Sequence, residues 1–152
     1  MAQHEGFGDM LVWLALVIQR RYAQICAEHD LTTAQAQLLC TVKDRPYRMA
    51  ELAASMDMAK NALSQLVDRT ERRGLVERSS PERDRRVIAL DLTPAGRKIA
   101  ESLYADVAER LPGIADSLSA EDQQLLRRLA TAVAAAHVPG LACGGAGPGE
   151  RC

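Results

Sequence analysis

Apolar residues recur every three or four positions along most of the chain, a spacing that places them on one face of an α-helix. This pattern predicts six helices, over residues 7–26, 33–42, 49–56, 59–73, 94–111 and 120–136. Several ends carry capping signals: Thr32 or Thr33 opens the second helix, Pro94 sits at the first position of the fifth, and Ser119 heads a capping box.

The first predicted helix is apolar on more than one side. Its main stripe contains Leu11, Leu14, Ala15, Ile18, Tyr22 and Ile25, and Met10, Trp13 and Val17 widen that stripe. A small domain seldom buries a helix so broadly by itself. The width therefore favours a second chain as the covering partner.

The third and fourth helices are separated by a short break at Asp57-Met58, an arrangement typical of a helix-turn-helix. In the fourth helix the apolar stripe consists of Ala59, Leu63, Leu66, Val67 and Thr70. Polar residues cluster on the opposite side in the first two turns: Lys60, Asn61, Ser64 and Gln65. A helix that reads the DNA major groove carries such residues near its N-terminus, although a solvated polar face explains the same pattern equally well.

Strand-like residues follow Gly74, first at 75–78 and again, in alternation, at 87–92. Between them lies the basic loop Ser79-Ser-Pro-Glu-Arg-Asp-Arg-Arg. Helix, strand, basic loop, strand and helix together predict a winged helix, so the fold class is mostly α with a small β-wing. A wing beside a recognition helix lies over the minor groove, where arginine is attracted by the negative potential. The arginines of the stretch 78–93 are therefore expected to face DNA.

Charge is distributed unevenly along the 152 residues, although the net charge is only −1. Residues 43–98 contain 13 basic and 9 acidic side chains, whereas both flanking segments are net acidic. This distribution is consistent with a centre that faces phosphate.

The sequence offers little sign of catalysis, metal binding or membrane insertion. The three histidines and four cysteines have no ligand spacing, and no acid, base and nucleophile cluster, so we expect neither an enzyme nor a metal or cofactor. No apolar run approaches a membrane span, and no signal peptide is evident, which favours the cytoplasm and reduced thiols. Cys26, expected to be exposed near the end of the first helix, and the tail cysteines Cys143 and Cys152 leave a redox role open.

Four motifs in order carry a family resemblance: Leu31-Thr-x-x-Gln35; Leu66-Val-Asp-Arg69; Arg73-Gly74-Leu75-Val76; and Asp84-x-Arg86 followed by Leu92-Thr93-x-x-Gly96. With this spacing, the chain from about residue 11 to 133 resembles the MarR family of transcriptional regulators. One departure is Ala59, where the family often has a Ser or Thr cap, so Asp57 is expected to supply the cap.

The resemblance implies a winged helix-turn-helix domain over 1–137, with a DNA-binding lobe at about 46–98. It also implies N- and C-terminal dimerisation helices at about 7–28 and 94–137, while the glycine-rich tail 138–152 is predicted to be disordered. The recognition-helix residues assigned to DNA are Lys60, Asn61, Ser64, Gln65, Arg69 and Arg72. In the wing, Arg86 is implied to enter the minor groove, and we expect Asp84 to orient it while Arg83 and Arg85 meet phosphate.

The function implied is that of a homodimeric regulator bound to a pseudo-palindromic operator, most simply a repressor released by a small aromatic or phenolic effector. Family pockets lie between the first, second and fifth helices, which makes Trp13, Arg20, Tyr47 and Tyr104 the candidate effector residues. Two alternatives remain at this point: a cysteine-based redox-sensing regulator, and a winged-helix module that binds protein instead of DNA.

Overall fold

The structure, a computed structural model, describes residues 6–80 and 88–137. The helices are α1 (Phe7–Glu28), α2 (Thr33–Val42), α3 (Met49–Ser55), α4 (Lys60–Arg72), α5 (Pro94–Arg110) and α6 (Ala120–His137), and a 3-10 turn spans Leu111–Ala115. The strands are β1 (Tyr47–Arg48), β2 (Val76–Ser79) and β3 (Ala89–Leu92). The prediction of a mostly helical fold with a small β-wing is confirmed.

The chain divides into two compact units, one ending at Leu111 and the other beginning at Pro112. The core of the first unit gathers the apolar faces of α2 to α5, the three strands and the end of α1. Its largest fully buried side chains include Ile25, Leu38, Leu39, Leu52, Leu63, Leu90 and Leu103. Burial of this kind contributes about 1.5–3 kcal/mol per large aliphatic side chain.

The three strands form one antiparallel sheet in the order β1-β3-β2. β2 and β3 make the predicted wing hairpin, with Val76 opposite Leu92 and Ser79 opposite Ala89. β1 was not among the predicted elements. Two of its residues pair with β3, Tyr47 with Leu90 and Arg48 with Ala89.

Helix ends follow the capping signals closely. Thr32 caps α2, accepting the N–H of Gln35 on its side-chain oxygen at 3.2 Å while the Gln35 side chain accepts the N–H of Thr32 at 3.1 Å. Thr93 caps α5 with Pro94 behind it. The expected cap of α4 by Asp57 is wrong: Ala59 is the N-cap without a side-chain hydrogen bond, and Asp57 instead adopts a positive φ of 49° in the turn.

In the second unit, α6 begins as predicted after Ser119, whose hydroxyl accepts the Asp122 N–H at 3.1 Å. The apolar side chains Leu125, Leu129 and Val133 recur every four residues along α6 and are exposed. Across the described ranges, no helix has both the length and the apolar character needed to cross a membrane.

Candidate nucleic-acid interface

The helix-turn-helix is built by α3 and α4 around a tight turn. Leu52 and Ala53 of α3 are buried, and the N–H of Met58 donates to the Ala53 carbonyl at 3.0 Å, which holds the turn closed. α4 then buries Leu63, Leu66, Val67 and Thr70, four of the five residues of its predicted stripe. This packing fixes which side of α4 faces outward.

The outward side of α4 carries every recognition-helix residue that the sequence pointed to. Lys60, Asn61, Ser64, Gln65, Arg69 and Arg72 are all exposed. Arg69 is partly engaged, since its Nε donates to the Gln65 carbonyl at 3.2 Å. Within residues 6–80 and 88–137, no side-chain hydrogen bond involves Lys60, Asn61, Ser64 or Gln65. These four groups are available to an outside partner.

Arg78, the first arginine of the basic stretch, does not face a ligand as the sequence suggested. Its guanidinium donates to Asp68 Oδ1 at 2.6 Å and also to Glu71, and its backbone N–H donates to Glu71 Oε1 at 3.1 Å. Burial lowers the pKa of Arg78, but the two carboxylates outweigh it and the net direction is upward. Arg78 therefore ties the base of the wing to α4.

The end of α4 is fixed by a Schellman motif. Gly74 has a φ of +71°, the Gly74 N–H donates to Glu71 and the Leu75 N–H donates to Thr70. The predicted end of this helix at residue 73 is thus confirmed to within one residue.

Arg73, the C-cap residue of α4, joins that helix to the turn between α1 and α2. Its Nη1 donates to the Asp30 carbonyl at 2.5 Å and to Gln35 Oε1 at 3.2 Å. The same turn is held to α5 on its other side. Arg110 makes a bidentate pair with Glu28 at 2.6 and 2.7 Å, and His29 Nε2 lies 2.8 Å from Asp106. A displacement of this turn would therefore change the contacts of both α4 and α5.

The wing tip falls outside the described residues. Arg83, Asp84, Arg85 and Arg86 lie in the undescribed segment 81–87, as does Val87 at the start of the predicted second strand. The glycine-rich tail 138–152, with Cys143 and Cys152, also lies outside them. The roles assigned to these residues remain predictions.

A cavity of about 760 Å³ lies between α1 and α2. Its lining consists of Trp13, Leu16, Val17, Gln19, Arg20, Tyr22, Ala23, Thr33 and Gln37. Two of the four candidate effector residues, Trp13 and Arg20, are thus brought together. Tyr47 and Tyr104 are not in this lining. Each instead lies under a cation, Tyr47 beneath the Arg45 guanidinium at 3.9 Å and Tyr104 beneath Lys43 at 4.7 Å.

The cysteines on α1 and α2 do not have the properties of a thiol sensor. Cys26 was expected to be exposed, but it is fully buried. Burial raises the pKa of Cys26 and, against the lowering effect of Lys43, that of Cys40. Burial also raises the pKa of Tyr22 beside them. A reactive cysteine needs the opposite shift, so nothing here favours the redox alternative.

Comparison with known proteins places this geometry among bacterial regulators. The MarR family model matches residues 29–87. An uncharacterized HTH-type transcriptional regulator, YfiV of Bacillus subtilis (strain 168), is 28% identical over 78% of this chain and 67% of its own.

Solved structures share the same fold. A cysteine-to-serine mutant of E. coli MarR superimposes with a TM-score of 0.77 at 24% identity, covering 86% of this chain and 98% of that one. The same mutant complexed with operator DNA gives 0.69 at 25% identity, over 83% and 91%. NadR in complex with 4-hydroxyphenylacetate gives 0.64 at 24% identity, over 89% and 96%.

Proposed function

We infer that this chain is a DNA-binding transcriptional regulator of the MarR family, and we propose that it acts as a homodimer on a pseudo-palindromic operator, as a repressor released by a small effector. The observation that carries the proposal is the free polar face at the start of α4. Lysine, asparagine, serine and glutamine side chains there are exposed and unengaged within the described residues, as a major-groove reader requires. In this proposal Arg86 enters the minor groove, Asp84 orients it, and Arg83 and Arg85 meet phosphate.

The proposal of a dimer is supported by apolar surface on α1 and, separately, on α6. Every large apolar residue from Phe7 to Val17 is exposed, and Trp13 keeps 63% of its surface accessible. On α6, Leu125, Leu129 and Val133 form an exposed stripe. Exposed apolar helix faces of this kind mark interfaces, and a two-fold dimer would present two recognition helices to two half-sites.

Light scattering at micromolar concentration should therefore give about twice the 16.5 kDa of the chain. Replacing Leu11 and Leu14 together by glutamate should reduce the mass to that of one chain, because charge would be introduced into the apolar face. Gln24→Glu adds the same kind of charge at an exposed position of α1 and should leave the dimer intact. The wild type and Gln24→Glu should retard DNA from upstream of the gene in an electrophoretic shift assay, and the monomeric double variant should not. A monomeric wild type would overturn the palindromic operator, and a dimer that binds no DNA would favour the protein-interaction module.

We further propose that the cavity between α1 and α2 takes the effector. Arg20 is the one cationic residue in its lining, and within the described residues it makes neither an ion pair nor a side-chain hydrogen bond. Trp13, Leu16 and Val17 supply an apolar and aromatic wall. A small aromatic acid satisfies both features, because its ring can pack on the wall while its carboxylate pairs with the guanidinium. The 4-hydroxyphenylacetate bound by the structural relative NadR belongs to this chemical class.

A route from that cavity to DNA follows α2. Thr33 and Gln37 line the cavity, while Gln35 between them holds Arg73 at the end of α4. A ligand that moved the start of α2 would thereby change the support of the recognition helix. The ligand must bind the two arrangements with different affinity for this to alter DNA binding.

Addition of 4-hydroxyphenylacetate should change the fluorescence of Trp13, the chain's only tryptophan. Arg20→Met should weaken this binding by about 10- to 150-fold, the equivalent of one charge-assisted hydrogen bond of about 1.5–3 kcal/mol. Arg21→Met removes the same charge one residue away, outside the cavity lining, and should bind like the wild type. Equal loss in both variants would mean that general charge, rather than the cavity, attracts the acid.

A further inference from the structure

Arg48 lies at the junction of β1 and α3, outside both the recognition helix and the wing. It is the last residue of β1, and α3 begins immediately after it. Its side chain is exposed. Within residues 6–80 and 88–137 its guanidinium makes no hydrogen bond and no ion pair, and only its backbone N–H is engaged, with Glu51 Oε2 at 3.4 Å.

Neighbouring arginines are already committed to partners inside the protein. Arg45 pairs with Glu51, at 2.5 Å from Nη2 to Oε1, and also covers the Tyr47 ring. Arg97 donates to the Lys43 carbonyl at 2.9 Å and lies 3.8 Å from Asp91. Arg48 differs from both because its guanidinium forms no ion pair in the described residues, although its charge helps to lower the pKa of Glu51, which pairs with Arg45.

The sheet register places Arg48 level with the last pair of the β2–β3 hairpin. Arg48 pairs with Ala89, the first residue of β3, and Ala89 pairs on its other side with Ser79, the last residue of β2. α3 is the first helix of the helix-turn-helix, and in such motifs that helix crosses the DNA backbone while the second helix enters the major groove. The start of α3 is thus expected to lie beside the phosphates between the groove read by α4 and the groove covered by the wing.

We propose that Arg48 is an additional phosphate contact, positioned by β1 and carrying no sequence information. The inference rests on the proposed mode of DNA binding, in which α4 reads the major groove. An exposed arginine at a backbone crossing neutralises phosphate charge and releases counterions. It therefore strengthens binding to every duplex to a similar degree.

The test is a salt series with two probes, a 30-base-pair duplex of arbitrary sequence and the DNA upstream of its own gene. Arg48→Gln should lower the magnitude of the slope of log affinity against log salt by about 0.9 for each protomer. It should weaken binding to both duplexes by the same factor, so that the ratio of the two affinities is unchanged. Arg48→Lys keeps a point charge and should restore most of the slope.

A matched control is Arg21→Gln, which removes the same charge from α1, outside the proposed DNA-binding lobe. It should retain the wild-type slope. Folding of each variant is checked by its thermal transition, which should be unchanged for Arg48→Gln because the side chain is exposed. An unchanged slope in folded Arg48→Gln would overturn this inference and leave the proposed function standing. A wild type that bound neither duplex would overturn both.

Discussion

Replacing Gly96 by alanine should destabilise the chain by about 3 kcal/mol, a large loss for a single methyl group. A Cβ built at Gly96 would lie 1.8 Å from the Leu75 carbonyl oxygen and 2.8 Å from its carbonyl carbon. These are backbone atoms, and they have little freedom to retreat. The Leu75 carbonyl accepts the Thr93 N–H at 3.1 Å, and the Leu75 N–H closes the motif that ends α4.

Gly8→Ala is the matched control for that measurement. Gly8 is also a helical glycine, but a Cβ there would have nothing within 4 Å. Alanine at this position should not destabilise the chain, because glycine is the poorer helix former and the added methyl group meets no other atom. Thermal or urea unfolding of the two variants measures both effects. If Gly96→Ala unfolded like the wild type, the close approach of α5 to Leu75 would be wrong.

This contact also explains why one sequence motif joins the wing to α5. The Thr93 hydroxyl donates to the Gly74 carbonyl at 2.6 Å and accepts the Gly96 N–H at 3.0 Å. Threonine thus caps α5 and binds the end of α4 with the same oxygen, while glycine lets the two segments touch. Destabilisation at Gly96 should therefore reduce DNA affinity only to the extent that the folded fraction falls.

Elements with strong local signals were predictable from the sequence. The end of α4 at Gly74, the start of α5 at Thr93 and Pro94, and the start of α2 at Thr32 each depend on one or two residues whose preferences act locally. The outward face of α4 was predictable for the same reason, since a helical period fixes which side chains share a side.

Features that depend on contacts distant in sequence were not predictable. β1 has two residues, too few for an alternating pattern, and exists because β3 offers hydrogen bonds to it. Arg78 looked like its neighbours in a basic run. Only the folded hairpin brings it to Asp68 and Glu71, which sit three residues apart on one side of α4. Burial of Cys26 likewise required knowing how the end of α1 packs.

Substitution of Asn61 or Gln65 by alanine should each weaken operator binding by about 1–3 kcal/mol, or about 5- to 150-fold. Both side chains are exposed in the first two turns of α4. An amide can give and accept one hydrogen bond each at the edge of adenine, and an alanine can do neither. Because the lost bonds are to a base, the preferred sequence should change at one position of each half-site, while affinity for arbitrary DNA stays nearly constant.

Variants at Lys60 and Gln24 serve as controls for that measurement. Lys60→Ala removes an exposed charge beside Asn61 and should weaken binding to all duplexes with a smaller salt slope, without altering the preferred sequence. Gln24→Ala removes an exposed amide from α1 and should change neither quantity. Selection of bound duplexes from a randomised pool, followed by affinity measurements at two salt concentrations, separates the three patterns. If the selected sequence were the same for Asn61→Ala, Gln65→Ala and the wild type, base recognition would have to reside outside the first two turns of α4. The wing would then be the remaining reader, and specificity would come from the shape of the minor groove rather than from base edges.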